Sequence, residues 1–459
     1  MDSAYIGGGS NSCSVLAMQR LDIEGNLDNA GGLIAAGSLN ILSGTVTGGT
    51  ITYAGGDTGS ATVAAGAAIK DAAGAFDTLT NAGTVSFTDL AVEKLVNSSN
   101  VTVSGNASFA SLENTGTVEV ASAYIGSGIP STVSSSTNSG LIFATGTLDV
   151  EGNIDNTGGT VAATTLNLLS GTVTGGTVGS AETTATVSEG AAITDAAGEF
   201  RELTNAGSVS FTSLAVTKLT NTASVYADTA YVGGGSNSGV VFATGNLEIA
   251  GDIDNTDGML GAADTLSILS GTVTGGTVGA EACTATVAAG AAITNAAGTF
   301  FELTNAGSVS FTDLTAAVLV NSSEVTASGN VAVSDIQNSG TVSVDSAWIA
   351  GGTNSGLIFA TGTLEIEKNL DNTGGIIAAA TLNLLGGTVT GGTVGSAETS
   401  ATVSEGASIT NAAGEFRELT NAGSVSFTSL TVTTLVNSGV VTTSGAGSSI
   451  ASLAGEAGS

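Results

Sequence analysis

The apolar positions of this chain repeat with a period that belongs to neither a helix nor one long strand. In the stretch "GSVSFTSLAVTKLTN", Val209, Phe211, Leu214, Val216, Leu219 and Asn221 follow at intervals of 2, 3, 2, 3 and 2. Residues two apart on a strand point to the same side, so each interval of two is a short strand facing inward. Each interval of three is a corner. The frame recurs at Val85, Phe87, Leu90, Val92, Leu95 and Asn97, and at Val425, Phe427, Leu430, Val432, Leu435 and Asn437. Three short faces then close one coil, and successive coils stack in parallel at about 4.8 Å. The predicted fold is all-β: a single-stranded parallel β-helix, or β-solenoid, right-handed and three-faced, with 16–18 residues per coil. About 26 coils would make a rod near 120 Å long at that spacing.

Asparagines mark the coil length. Asn305, Asn321, Asn338, Asn354 and Asn372 are separated by 16, 17, 16 and 18 residues, and Asn205, Asn221, Asn237 and Asn255 by 16, 16 and 18. The gaps from Asn255 to Asn305 and from Asn372 to Asn421 are 50 and 49 residues, which fits three further coils whose corners lack asparagine. Asn and Gly suit a sharp corner because they tolerate left-handed backbone. Stacked asparagines can also share amide hydrogen bonds.

A longer repeat lies over the coils. "LTNAGSVSF" occupies 203–211, 303–311 and 419–427, and "LTNAGTVSF" occupies 79–87, so the shared asparagines are 124, 100 and 116 residues apart. Counted in coils, 116 is seven and 100 is six. The coil missing from the shorter unit corresponds to 321–337, "NSSEVTASGNVAVSDIQ". The spacing of 124 is again seven coils, with eight extra residues between Tyr124 and Asn138 in the loop that carries the only proline, Pro130. Independent globular domains have no reason to change length by whole coils, whereas a solenoid does. The expected organisation is one continuous solenoid over residues 1–459, made of four long units. Both ends fall within units, as in a piece of a longer chain.

Composition narrows the function. The formal net charge is −32, with seven basic residues and no histidine. Such a chain is repelled by nucleic acid and by anionic lipid, because it has no basic stripe to release counterions. No apolar run approaches the ~18 residues needed to span a bilayer, and the first residues show no signal peptide. Cys13 and Cys283 stand where sister units carry Gly140 and Thr183, so they read as drift and not as a disulfide framework.

Four groups of residues invite chemical readings. "GGDTGS" at 55–60 contains Asp57-Thr58-Gly59, as around an aspartic-protease carboxylate, but that chemistry needs a second facing carboxylate and the sequence has no second copy. Asp22, Glu24 and Asp28 recur as Asp149, Glu151 and Asp155, and as Glu365, Glu367 and Asp371. Calcium takes six to eight oxygens, and such groups could supply a few; surface charge is the simpler reading. Arg201–Glu202 and Arg417–Glu418 read as surface pairs. Tyr5, Tyr124, Tyr231 and Trp348 hold one position in each unit, between inward small and aliphatic residues, so they should face out. An outward aromatic can cover its own corner or stack on a sugar. With no histidine and no partnered Ser or Cys, no catalytic residue, metal or cofactor is expected.

With the coils laid out, the chain resembles the β-helical repeat region of large secreted bacterial adhesins, of the autotransporter passenger and filamentous-haemagglutinin type. The resemblance rests on the "NTG", "NSG" and "NAG" corners, the Ala/Gly/Thr/Val-rich short strands, and the scarcity of Lys and Cys. It implies an extracellular or cell-surface location on a bacterium, a structural or adhesive stalk, and a host or cell-surface receptor or glycan as partner. End-to-end or lateral self-association is a further expectation, since exposed strand edges invite pairing. The alternatives are a carbohydrate- or calcium-dependent binding module and, further off, a β-helix enzyme acting on a glycan.

Overall fold

The computed structural model describes residues 1–55, 59–126 and 135–454. Asp57 and Thr58 of the "DTG" tripeptide, and Pro130, lie outside the described residues. The chain divides into two compact units, Met1–Thr229 and Ala230–Ser459. Each is a β-solenoid, with about 24 turns in all and about 18 residues per turn, and no helix occurs among the described residues. Within each unit, neighbouring turns pair in parallel.

The alternation of small intervals sets the core. Val209, Phe211, Leu214, Val216 and Leu219 are all buried, and the intervening Thr212 is exposed. The same holds for the frames beginning at Val85 and Val425. The first interval of three in this frame, between Phe87 and Leu90, coincides with a register irregularity where the chain turns from one face to the next, whereas the second, between Val92 and Leu95, keeps its register. Phenylalanines from adjacent turns meet edge to face: Phe200 and Phe211 in the first unit are 5.9 Å apart between ring centres, and Phe300 and Phe311 in the second 6.0 Å. Gly198 makes room for this pair, because a Cβ there would come within 2.5 Å of the Phe211 ring. Phe211→Asp should therefore cost roughly 3–5 kcal/mol, since it leaves a cavity and buries an unpaired charge. Thr212→Asp should be nearly silent. Denaturant melts of the two variants check the inward–outward assignment, and equal effects would sink it.

The asparagines form ladders through the buried corner. In the first unit, Nδ2 of Asn81 donates to Oδ1 of Asn97 at 2.8 Å, Asn97 to Asn114 at 2.8 Å, Asn114 to Asn138 at 2.7 Å and Asn138 to Asn156 at 2.7 Å. In the second unit the chain Asn305, Asn321, Asn338, Asn354 and Asn372 is bonded the same way, at 2.6 to 2.9 Å. A buried amide needs partners for both its donors and its acceptor. In the middle of a ladder, as at Asn114, the preceding asparagine donates to Oδ1, and the amide N–H groups are accepted by the next asparagine and by nearby carbonyls. The ladder residues do not have left-handed backbone, contrary to the expectation from the sequence. Among the described non-glycine residues, positive φ occurs at Asp71, Asp195, Asp257, Asn295 and Asn411. Asparagine is at the ladder corner for its side-chain amide.

The ladders that reach Asn156, Asn255 and Asn372 each end on a glycine pair. Asn156 donates to the Gly175 carbonyl at 3.1 Å and the Thr177 carbonyl at 3.0 Å. A Cβ on Gly176, whose φ is +64°, would stand 2.2 Å from the Asn156 carbonyl oxygen. Only glycine lets the backbone come this close in that conformation. The corner then continues through left-handed Asp195, because Asp155 stacks on Thr174 and Thr174 on Thr194.

The next ladder does not resume on the same corner. Register steps lead from Phe76 through Val92, Phe109, Ile125, Val150, Leu168 and Val187 to Asn205. Asn205 thus stands seven turns above Phe76, whereas Asn81 lies one face beyond Phe76 on the same strand, Ala68–Asn81. The two asparagines are seven turns less one face apart. The second unit repeats the arrangement: Phe300 leads through Ala316, Val333, Ile349, Ile366, Leu384 and Val403 to Asn421. The seven-coil count from the sequence is corrected accordingly. The asparagine-poor gap holds three turns less one face, with steps of 19 and 20 residues from Asp155 to Thr174 to Thr194. The first asparagine of a new ladder rests on an aliphatic residue, Val187 under Asn205 and Val403 under Asn421. Among the described residues, these two asparagines are the ones whose buried Oδ1 has no partner.

Candidate functional site

The four repeated aromatics face outward. Tyr5 is 63% and Tyr231 42% exposed, while Tyr124 and Trp348 are half-buried. In each case the residue on the next turn is a carboxylate: Asp22 beside Tyr5, Asp149 beside Tyr124, Glu248 beside Tyr231 and Glu365 beside Trp348. Two of the tyrosines also give their hydroxyls to a second carboxylate. Tyr5 donates to Glu24 Oε2 at 2.7 Å, and Tyr124 donates to Glu151 Oε2. The Glu24 carboxylate beside it raises the Tyr5 phenol above its usual pKa, first by accepting that hydrogen bond and then through burial and charge.

The carboxylates grouped in the sequence turn to separate partners. Asp22 binds Arg20 Nε at 2.8 Å and the Asn40 amide at 2.8 Å, Glu24 binds Tyr5, and Asp28 accepts the Ala30 N–H at 3.0 Å. Among the described residues no three His, Cys, Asp or Glu side chains are gathered as for a metal ion. The arginines differ from their sequence reading too. Arg201 donates to the Thr184 hydroxyl and Arg417 to the Ser400 hydroxyl, each on the turn before. Arg201 and Glu202 both face out from the corner between buried Phe200 and Leu203, and it is the hydroxyl on the turn before that Arg201 engages. Cys13 is exposed and Cys283 buried, where desolvation pushes its thiol pKa up.

Asp155, Asp254 and Asp371 hold equivalent places, each directly before the last asparagine of a ladder. The hydroxyls of Thr157, Thr256 and Thr373, and then their backbone N–H groups, hold these carboxyls below the usual range. A depressed carboxylate contributes stability that is present above its unfolded pKa, about 3.9, and is lost as pH falls through the lower folded value. The triple variant Asp155→Asn, Asp254→Asn, Asp371→Asn should therefore differ most from wild type near neutrality. The gap in melting temperature should narrow as pH falls from about 5 to about 2. A constant gap across that range would show that these carboxyls titrate alike folded and unfolded.

Around Tyr124 and Trp348 the outward side chains form the same array. Asn106 and Ser108, Ser122 and Tyr124, then Thr147 and Asp149 lie on three successive turns of the first unit. Asn330 and Ala332, Ser346 and Trp348, then Thr363 and Glu365 do so in the second. Each array holds a shallow hollow, of about 250 Å³ at Tyr124 and about 340 Å³ at Trp348.

In the first unit two more hollows, of about 390 and 460 Å³, adjoin the one at Tyr124 and share lining residues with it. Together they form one trough across the turns between Tyr53 and Tyr124. Ala75, Ala91 and Ser108 make the floor, and Asp77, Asp89, Glu93 and Asn106 stand along the sides. The sequence reading missed Tyr53, Ala75 and Ala91. Tyr53 lies in "ITYAGG", which has no aromatic counterpart in the sister units. Only the register shows that Thr52, Ala75, Ala91, Ser108 and Tyr124 stack in one column.

Equivalent sites do not share a column. Tyr5 stacks over Asp22, Asn40, Thr62 and Thr80, a column that continues through Val96 and Glu113. Tyr124 belongs to the column of Ala91 and Ser108. In the second unit Tyr231 likewise leads to Thr304 and Val320, whereas Trp348 stacks on Ala332. The one-face shift of the ladders thus turns successive aromatic positions to different faces. No family model matches the chain, and no curated protein and no solved structure matches it.

Proposed function

We propose that this chain is a structural and adhesive stalk, without catalysis, in a secreted or cell-surface bacterial protein of the adhesin type that the sequence resembles. The observation that carries this reading is the face-by-face rotation of equivalent outward sites within each unit. An enzyme cleft needs its groups gathered at one place, whereas a stalk that presents contacts in several directions benefits from the shift. The bonded asparagine ladders support the structural part, because every turn they join is held by side-chain amides as well as by backbone. A strongly acidic, lysine-poor surface favours partners other than nucleic acid and anionic membrane. The partner in this reading is a host or cell-surface receptor or glycan, and lateral or end-to-end association of copies is compatible with it.

A second reading, a carbohydrate-binding module on a β-solenoid, is favoured by the arrays around Tyr124 and Trp348. The calcium-dependent form has less support, since Asp22, Glu24 and Asp28 are engaged with different groups. The location is tested with antibodies against this chain on intact cells of the source organism. Labelling without permeabilisation is expected. Labelling only after permeabilisation would remove the surface stalk.

A further inference from the structure

We infer that the trough between Tyr53 and Tyr124 binds a neutral glycan lying along the stack of turns. This deepens the adhesive reading above and rests on it for its biological sense, but it is tested on the purified chain alone. The trough follows the column Thr52, Ala75, Ala91, Ser108 and Tyr124, so its ends are four turns apart, about 19 Å at the strand spacing. Small side chains along the middle leave a floor low enough for a flat ring. A tyrosine stands at each end, and the Tyr124 ring is fixed in direction by the bond from its hydroxyl to Glu151.

The polar groups select the ligand. Asp77, Asp89 and Glu93 offer acceptors, while Asn106 and Ser108 offer donors as well. Asp89 Oδ1 is held in place by the Asn106 N–H at 3.0 Å and Asp77 Oδ2 by the Gly59 N–H at 2.5 Å. No Lys or Arg is among the described residues that line the hollows. A polyanionic glycan would meet carboxylates and no cation, and is repelled. A cationic chain would use the acceptors but not the donors. A neutral polyol uses both, and its apolar ring faces suit the two tyrosines.

The test is calorimetric titration of the purified chain with neutral, uronic-acid-containing and amino-sugar oligosaccharides, and with an oligolysine peptide. Saturable binding of a neutral oligosaccharide is expected. Tyr53→Ala and Tyr124→Ala should each weaken it about tenfold, the loss of roughly 1.4 kcal/mol that one stacked ring contributes. Tyr124→Phe keeps the ring and should bind within a few-fold of wild type. Tyr231→Ala lies in another column and should have no effect. Ala91→Tyr fills the floor without removing a contact, and should abolish binding even if an alanine variant fails to fold. No binding of any neutral oligosaccharide, preference for the uronic-acid or oligolysine ligand, or equal loss in Tyr231→Ala would each overturn the assignment. Any of these results leaves the stalk and its surface location standing.

Discussion

Replacing Asn338 with alanine should cost the second unit about 3–5 kcal/mol, well above an ordinary surface substitution. The Asn338 side chain is buried, and its amide donates to the Asn354 Oδ1 at 2.7 Å, to the Leu357 carbonyl at 3.1 Å and to the Gly340 carbonyl at 3.2 Å. Its own Oδ1 accepts from Asn321 at 2.8 Å. The alanine variant breaks the ladder in the middle and leaves buried groups on both neighbouring turns short of a partner. Each buried group so stranded costs about 1–3 kcal/mol. Asn437→Ala is the comparison. It removes the half-buried last rung, which accepts from Asn421 at 2.8 Å, and should cost about 1 kcal/mol or less. Denaturant unfolding gives both values, and hydrogen exchange should show the Asn338 loss on the flanking strands Ser308–Asn321 and Thr341–Asn354. Equal costs for the two variants would make the ladder a passenger of the fold.

The coil was legible because its inward pairs are written at fixed intervals. Val209 and Phe211, Leu214 and Val216, Leu219 and Asn221 could be placed from spacing alone, and all are buried. The ladder was legible for the same reason, since asparagine recurs at one place in the frame. The one-face shift was not. A residue count between Asn156 and Asn205 does not say at which corner the chain stands after each step, and the glycine corners lengthen those steps to 19 and 20 residues. The count therefore gave three whole coils where the registers give three turns less one face. The outward aromatics were legible from their inward neighbours. The trough was not, because it joins the repeated Tyr124 to Tyr53, which has no aromatic counterpart in the sister units, through residues made neighbours only by stacking.

Deleting residues 321–337 should leave a folded chain, and deleting only 321–328 should not. The first deletion removes one full turn. Asn321 stacks on Asn338, Val325 on Val342 and Val309 on Val325, so removal of the turn lets Val309 meet Val342 and Asn305 meet Asn338 with every side chain still facing its own way. The chain already tolerates this geometry in one unit: the strand Glu324–Asn338 has no counterpart between Ser208–Asn221 and Ser224–Val232. The remaining solenoid should be about 4.8 Å shorter and should keep its cooperative melt. Removing eight residues instead takes out about half a turn. Residues meant for one face are then carried to another, inward valines are turned out, and Asn305 loses the amide that accepts its bond. Circular dichroism and limited proteolysis distinguish the outcomes. The 17-residue deletion should retain β signal and resist protease, and the eight-residue deletion should be cleaved near the junction. If the shorter deletion were the better tolerated, neither the turn as unit of folding nor the difference between spacings of 116 and 100 residues would have this explanation.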